Sequence, residues 1–270
     1  MLIAAATWYS NQRKAWIVVV HGRYGRKFFL KILKLLGARV VVILSDHYRS
    51  PQSLTDSDAV VCITENVYER ARSVLAGRSK IYHVPLPLEL PKLPSPTILP
   101  TEFDRPYVLF VGEVSHWKGV DVLLEAFSEF RHEQPGYRLV LAGPVCDAAF
   151  TNGNHEGVLF LGEANHETVI ALIRGAEALI LPSRSEGLPR VCLEAIALGT
   201  RAICPPGVPE LQRACPEWVL SQVTVEDVLA KLRQVVDTPF RSSYDLGSHD
   251  PEAVGGRIIK IFEAVVTGNA

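Results

Sequence analysis

Two glutamates, Glu186 and Glu194, stand eight positions apart where an apolar strand is followed by a short loop and a helix. The strand ends at residues 178–181, and the helix is predicted to begin near Leu188. Bare N–H groups and the positive dipole at the start of such a helix bind anions such as phosphate. Because like charges repel, the two carboxylates are better suited to accept hydrogen bonds from hydroxyl groups. A site that combines phosphate and hydroxyl binding suggests a nucleotide-sugar.

This block resembles the Glu-x7-Glu signature of retaining glycosyltransferases of the GT-B fold, family 4 (glycosyl transferases group 1). Further segments fall in the order and spacing of that family. They are residues 107–112, 117–127, 139–143, 159–162 and 207–210. The resemblance is strong from about Tyr107 to Leu211 and weak before Ile81.

The resemblance implies a role for each matched residue of the signature. Glu186 would contact hydroxyl groups of the donor sugar, and Glu194 would bind the ribose of the nucleotide. Lys118 would neutralise the diphosphate, mainly as charge develops on the departing nucleotide. The backbone N–H groups of Gly187 and Leu188 would contact the phosphate or the sugar.

Gly112 and Arg190 complete the expected donor side, and the residue after Gly112 departs from the family. Family members usually carry arginine there, where the guanidinium grips the diphosphate. This chain has Glu113 instead. Two like charges ~4 Å apart repel by roughly 4 kcal/mol at an effective dielectric constant near 20, although an open, wet cleft screens much of this. Arg184, which precedes the signature, or Arg190, which lies within it, would have to compensate.

The acceptor side is expected near the ends of the first strands, where the family often has a histidine. Ser45 or His47 would occupy that place, and His47 is the candidate catalytic residue on this side. The register leaves both residues open. His21 ends the preceding strand and is equally compatible with purely local hydrogen bonds.

No metal or cofactor is expected, because the nucleotide-sugar would be a substrate. Asp56-Ser-Asp58 matches the Asp-x-Asp metal motif of the other major glycosyltransferase fold, but its surroundings do not. An odd number of cysteines without a Cys-x-x-Cys pair favours reduced thiols in a cytosol. The five cysteines are Cys62, Cys146, Cys192, Cys204 and Cys215.

The net charge of −1 conceals an uneven distribution. Residues 1–50 carry nine Lys and Arg against one acid, a balance of +8, so the remaining 220 residues carry −9. A helix predicted near 24–36 places four of these cations on one face: Arg23, Lys27, Lys31 and Lys34. This helix either covers the sheet with its lysines in water or docks on anionic lipid, at roughly 1 kcal/mol per basic residue. No recognition motif for nucleic acid accompanies the charge.

Alternating strand-like and helix-like runs predict an α/β fold. We expect two Rossmann-like domains of the GT-B type, with parallel sheets flanked by helices, facing each other across a cleft. Strands are expected near 16–21, 39–44, 58–63, 80–84, 107–111, 137–142, 157–161, 178–182 and 201–204. Helices are expected near 24–36, 65–76, 119–133, 166–175, 188–198, 225–236 and 251–266.

The predicted domains follow from these elements. Residues 1–88 would form a shortened amino-terminal, acceptor-side domain, and residues 89–105 a proline-rich linker. Residues 106–250 would bind the nucleotide-sugar, and the helix in 251–270 would pack back on the first domain. The first domain is shorter than is usual in the family and lacks its opening glycine-rich loop. Three explanations stay open: a naturally minimal chain, a mis-assigned start, or a missing half supplied by another protein.

The leading hypothesis is a metal-independent retaining hexosyltransferase that uses a nucleotide diphosphate sugar, with UDP favoured, and a hydroxyl of a glycan or lipid-linked acceptor. An alternative is a non-catalytic or split-subunit protein that binds the nucleotide-sugar and needs a partner for the acceptor. A third is a membrane adaptor. No apolar run reaches the ~20 residues of a membrane span, and no signal peptide is expected. We therefore expect a cytoplasmic protein, with the inner face of the membrane as a candidate location.

Overall fold

The computed structural model describes residues 3–10, 13–21, 27–44, 54–90, 106–152 and 155–268. The chain divides into two compact units. Unit 1 comprises Met1–Pro87 with Gly247–Ala270, and unit 2 comprises Leu88–Leu246. Each unit contains a five-stranded sheet. The predicted α/β fold with parallel sheets flanked by helices is confirmed.

The sheet of unit 1 has the order β1-β2-β3-β4-β5. Its strands are β1 (Ile3–Ser10), β2 (Arg13–His21), β3 (Arg39–Leu44), β4 (Ala59–Cys62) and β5 (Lys80–His83). Strands β2 to β5 are parallel, whereas β1 pairs antiparallel with β2. Strand β1 was not predicted from the sequence, because the predicted strands were those linked by helices. An antiparallel neighbour needs no connecting helix, because a tight turn can join the two strands.

Helices cover both faces of this sheet. They are α1 (Lys27–Leu35), α2 (Glu65–Leu75) and α8 (Pro251–Thr267). Val40 and Val42 of β3 point to the face covered by α1 and α2, while Val41 points to the face covered by α8. Successive residues of a strand face opposite sides, so a run of valines can serve two apolar layers.

Unit 2 contains an all-parallel sheet with the order β10-β9-β6-β7-β8. Its strands are β6 (Tyr107–Val111), β7 (Arg138–Ala142), β8 (Val158–Gly162), β9 (Ala178–Ile180) and β10 (Arg201–Ile203). Its helices are α3 (Val120–Glu133), α4 (His166–Gly175), α5 (Arg190–Ala197), α6 (Pro209–Ala214) and α7 (Val225–Asp237). The strand order reverses between β6 and β9. The chain passes from β6 to β7 on one side, whereas it passes from β9 to β10 on the other side. Ligands of open α/β sheets bind beyond the strand ends at such a switch point.

The predicted helices of unit 2 agree with the structure to within two residues, whereas α6 was not predicted. Helix α5 begins at Arg190 rather than at 188, because Pro189 is its N-cap. Residues 91–105, most of the predicted linker, lie outside the described residues. Within the described ranges, every helix is too short or too polar to cross a bilayer.

Candidate functional site

Glycines bring the loops at the carboxyl edge of the unit 2 sheet into close contact. A Cβ atom at Gly143 would overlap the carbonyl oxygen of Gly112, and one at Gly119 would overlap that of Pro182. All three glycines also have positive φ angles: 148° at Gly112, 145° at Gly143 and 71° at Gly119. Gly112, predicted for the phosphate loop, therefore has a conformational reason to be glycine, whereas Gly119 and Gly143 have both a conformational and a packing reason.

Lys118 and Glu186 form an ion pair across two of these loops. The Lys118 Nζ atom donates a hydrogen bond to Glu186 Oε1 at 2.6 Å. The side chains retain only 24% and 15% of their exposure, respectively. The structure thus brings together two predicted site residues that are 68 positions apart in the chain.

A second ion pair, between Arg184 and Asp121, joins the same two segments and was missed by the sequence analysis. Arg184 Nη1 and Nη2 donate to Asp121 Oδ1 and Oδ2 at 2.9 and 2.7 Å, and Nη1 also donates to the carbonyl of His116. The Arg184 amide donates to the carbonyl of Trp117 at 3.1 Å. Arg184 is therefore committed to Asp121, and the hypothesis that it offsets Glu113 is not supported. The motif at 117–121 already contained Asp121, but nothing local indicated its partner.

This pairing changes the acidity of both groups. Burial alone would raise the pKa of Asp121, but the hydrogen bonds and charge of Arg184 outweigh it, and the pKa is lowered. The hydrogen bond to Asp121 raises the pKa of Arg184. The pair is thus charged at any pH where the chain would be expected to work.

Glu194 lies almost fully buried on α5, with 4% of its side chain exposed. Its Oε1 atom is 2.9 Å from His166 Nε2 and 3.8 Å from Arg190 Nε. His166 is the first residue of α4. Glu194 and Arg190 were predicted as site residues, but His166 was not, because it lies 28 positions before Glu194 and outside the signature.

Gly187 and Leu188 immediately precede Pro189, the N-cap of α5. Pro189 makes no side-chain capping hydrogen bond. The Cys192 and Leu193 amides donate to the Pro189 carbonyl, so the described capping of the first turn of α5 is by backbone. The roles of Gly187 and Leu188 stay predictions.

The acceptor-side candidates cannot be placed. Ser45 and His47 lie outside the described residues, and so does the side chain of His21. On the donor side, Glu113 is exposed after β6.

Asp58, of the Asp-x-Asp motif, has a structural role. Its Oδ2 atom accepts from the Val40 amide at 2.8 Å, and its carboxylate pairs with Lys34 and Arg39. Within the described ranges, no three His, Cys, Asp or Glu side chains group as a metal would require.

A family model described as glycosyl transferases group 1 matches residues 97–240, slightly more than half of the chain. Curated relatives include two uncharacterized glycosyltransferases of Methanocaldococcus jannaschii. One is 32% identical over 106 residues, which cover 37% of this chain and 27% of the relative. The other is 25% identical over 172 residues, which cover 62% of this chain and 46% of the relative. A glycogen synthase of Mycobacterium tuberculosis is 33% identical over 99 residues, 34% of this chain and 24% of that protein. The chain therefore spans less than half the length of these relatives.

Solved structures show the same fold at low sequence identity. A sucrose-phosphate synthase from Thermosynechococcus elongatus matches with a TM-score of 0.68 at 16% identity, covering 93% of this chain and 74% of the other. An α,α-trehalose 6-phosphate synthase from Burkholderia multivorans matches with a TM-score of 0.69 at 11% identity, covering 93% and 72%. The α/β fold matches GT-B structures, as expected. Because the family model matches more than half of the chain, over residues 97–240, the chain belongs to the glycosyl transferases group 1 family.

Proposed function

We propose that the chain transfers a hexose from a nucleotide diphosphate sugar to a hydroxyl group, with retention of anomeric configuration and without a metal ion. The observation that carries the proposal is the Lys118–Glu186 ion pair between the segments that follow β6 and β9. Glu194 lies on α5, the helix that follows β9. Family membership and relatives named as glycosyltransferases support the donor class. UDP is the first nucleotide to test, since it is the commonest in the family.

The Lys118–Glu186 pair suits a donor that carries both phosphate and hydroxyl groups. An ammonium group has three N–H donors and a carboxylate has several acceptor positions. Lys118 can therefore keep its bond to Glu186 and still donate to a diphosphate, while Glu186 accepts from a sugar hydroxyl. Because charge grows on the leaving phosphate as the glycosidic bond breaks, Lys118 stabilises the transition state more than the bound donor.

Retention fits a front-face substitution. The bond between the anomeric carbon and the leaving phosphate oxygen breaks, and the acceptor oxygen bonds to the same face of the sugar. The acceptor proton passes to the leaving phosphate. Glu186 orients the donor sugar, Glu194 the ribose, and Gly112, Gly187 and Leu188 let backbone groups approach the phosphates.

We propose a glycan or a lipid-linked molecule as the acceptor, and an anionic membrane surface as a docking partner for α1. Leu35 and Leu36 at the end of this helix are 87% and 76% exposed, and Lys31 beside them is exposed as well. Lys34 is also exposed, but its Nζ atom lies 3.4 Å from Asp58 Oδ1. Asp58 therefore competes with a lipid phosphate for the charge of Lys34. Co-sedimentation with phosphatidylglycerol vesicles tests this surface, and Leu35→Glu should abolish it. Equal binding to neutral vesicles would contradict the proposal.

Titration calorimetry with UDP, GDP and ADP tests the donor site. We expect saturable binding that Lys118→Ala and Glu194→Gln each weaken at least about tenfold, since hydrogen bonds to charged groups contribute about 1.5–3 kcal/mol. Lys260→Ala, an exposed lysine on α8 in unit 1, is the matched control and should leave affinity unchanged. No binding at millimolar nucleotide would overturn the proposed function.

Transfer assays separate the enzyme from the alternatives. Sugar transfer by the purified chain would exclude a split subunit and a non-catalytic adaptor. Nucleotide binding without transfer would favour the split subunit, which needs a partner for the acceptor. The anomeric configuration of the product by NMR tests retention, and activity in excess EDTA tests independence from metal.

A further inference from the structure

His166 contacts the buried carboxylate of Glu194, with 2.9 Å between Nε2 and Oε1. The His166 ring is about half exposed, while the carboxylate beneath it is almost completely buried. A carboxylate is expensive to remove from water unless its oxygens are paired. The His166–Glu194 contact therefore stabilises the fold, because it provides a hydrogen bond to a carboxylate that is shielded from water.

Local structure fixes His166 in place. Asn165, the N-cap of α4, accepts a hydrogen bond from the Thr168 amide at 2.8 Å. At the other end of the helix pair, the Thr200 hydroxyl after α5 donates to the Ile173 carbonyl of α4 at 2.9 Å. Helices α4 and α5 are thus tied at two points, and the His166–Glu194 contact is one of them.

The two oxygens of Glu194 are used differently. Oε1 is the atom that His166 contacts and that lies nearest to Arg190. Among the described residues, none forms a hydrogen bond with Oε2, and this atom is not fully enclosed. Oε2 is therefore the oxygen that a hydroxyl group of a ligand can reach.

We propose that His166 is a positioning residue, which holds Glu194 so that its carboxylate accepts hydrogen bonds from the vicinal hydroxyls of a ribose. The site thereby selects ribonucleotides over 2′-deoxyribonucleotides. This inference rests on the proposed function, because it assumes that a nucleotide binds beside Glu194. His166 itself need not touch the nucleotide.

The chemistry of the imidazole ring sets the choice of variants. To bond the carboxylate, Nε2 must carry a hydrogen, which either the neutral tautomer or the imidazolium provides. A glutamine side chain can present an amide N–H at a similar distance from the backbone. Phenylalanine fills the same space without a donor. His166→Gln should thus retain the positioning and His166→Phe should lose it.

The test compares the affinities of UDP and 2′-deoxy-UDP, with the matching GDP and ADP pairs, for the full chain by calorimetry. For the nucleotide that binds best, we expect wild type to prefer the ribose form by about 10-fold to 100-fold. His166→Phe should reduce this ratio to about threefold or less, and His166→Gln should restore most of it. His132→Phe, at an exposed histidine in the last turn of α3, is the matched control and should keep the wild-type ratio.

The outcomes are distinct. If wild type binds none of the nucleotides, the proposed function fails and takes this inference with it. If wild type binds nucleotides but shows no ribose preference, or if His166→Phe keeps the wild-type ratio, only the role of His166 is overturned. A general loss of packing would weaken both nucleotides equally, so the ratio separates positioning from stability. Should His166→Phe fail to fold, His166→Ala is measured in its place, with the same reduction of the ratio expected.

Discussion

Unit 1 and unit 2 both have five-stranded sheets, but their charged clusters lie at opposite edges. In unit 1, Asp58 precedes β4 and pairs with Lys34 and Arg39, near the amino ends of the strands. In unit 2, the pairs Lys118–Glu186 and Arg184–Asp121 join segments that follow the strands. Ligands of parallel sheets bind at the carboxyl edge, so only the second cluster lies where the proposed donor site is expected.

The two units also differ in how their buried apolar side chains are grouped. Among the side chains that the structure describes, those buried in unit 2 form one continuous core around its sheet, whereas those in unit 1 form two cores on the two faces of its sheet. We infer that unit 2 is the more rigid frame, as a preorganised donor site requires. The predictions below test this contrast, beginning with the largest expected effect.

Gly143→Ala should destabilise unit 2 severely. The added Cβ would overlap the Gly112 carbonyl oxygen, and the φ angle of 145° is unfavourable for alanine. We expect the free energy of unfolding to fall by about 3 kcal/mol or more. Urea unfolding measures this, with Gly136→Ala as control, because nothing lies within 4 Å of a Cβ there. Equal stability of the two variants would show that the loops need not approach closely.

Asp121→Asn should alter the acid sensitivity of unit 2. The pKa of Asp121 is lowered in the folded chain, so its ionised form stabilises the fold above the ordinary carboxyl pKa. That contribution, about 1 kcal/mol after discounting for solvent screening, is lost as pH falls through the lower folded value. Wild type should thus lose stability more steeply than Asp121→Asn below about pH 4.

Melting temperatures between pH 6 and pH 2.5, a range of roughly two units around the carboxyl pKa, measure this difference. Glu125→Gln, an exposed acid on the same helix, is the control and should follow wild type. Parallel curves for wild type and Asp121→Asn would mean that the Arg184–Asp121 pair does not stabilise the fold.

Gly255→Ala should stabilise unit 1. Gly255 lies inside α8, and nothing is within 4 Å of a Cβ at this position. Alanine in a helix interior is better than glycine by about 0.5–1 kcal/mol. Gly268→Ala should have the opposite sign, because Gly268 caps α8 with a φ angle of 78°. Thermal unfolding of both variants checks the pair of signs.

Cysteine labelling should show which unit opens first. In the native chain we expect Cys146 alone to react rapidly, because it is exposed while the other four cysteines are buried. Burial raises the pKa of Cys62 to about 12, which makes its thiol inert at pH 8. In rising urea, Cys62 should react before Cys192, since it reports on unit 1. Mass spectrometry of iodoacetamide-treated chain gives the order, and the reverse order would contradict the contrast in rigidity.

The sequence predicted the elements of unit 2 well, because its strands and helices alternate regularly and end at glycines such as Gly112 and Gly143. It did not predict β1, because β1 pairs antiparallel with β2 and no helix lies between the two strands to form the alternating pattern. For the site, it named Lys118, Glu186 and Glu194 individually. It did not predict that Lys118 binds Glu186, that Arg184 binds Asp121, or that His166 binds Glu194. These partners are 28 to 68 positions apart, so only the folded sheet brings them together.

Unit 1 is assembled from both ends of the chain, since α8 covers one face of a sheet whose strands come from the first 83 residues. During synthesis, that face of the sheet stays uncovered until α8 has left the ribosome, whereas all residues of unit 2 are synthesised before α8. Exposed apolar surface of this kind invites aggregation or chaperone binding. Released chains that are truncated after residue 246 should therefore be protease-sensitive in unit 1 and resistant in unit 2. The order of folding would then be the reverse of the order of translation.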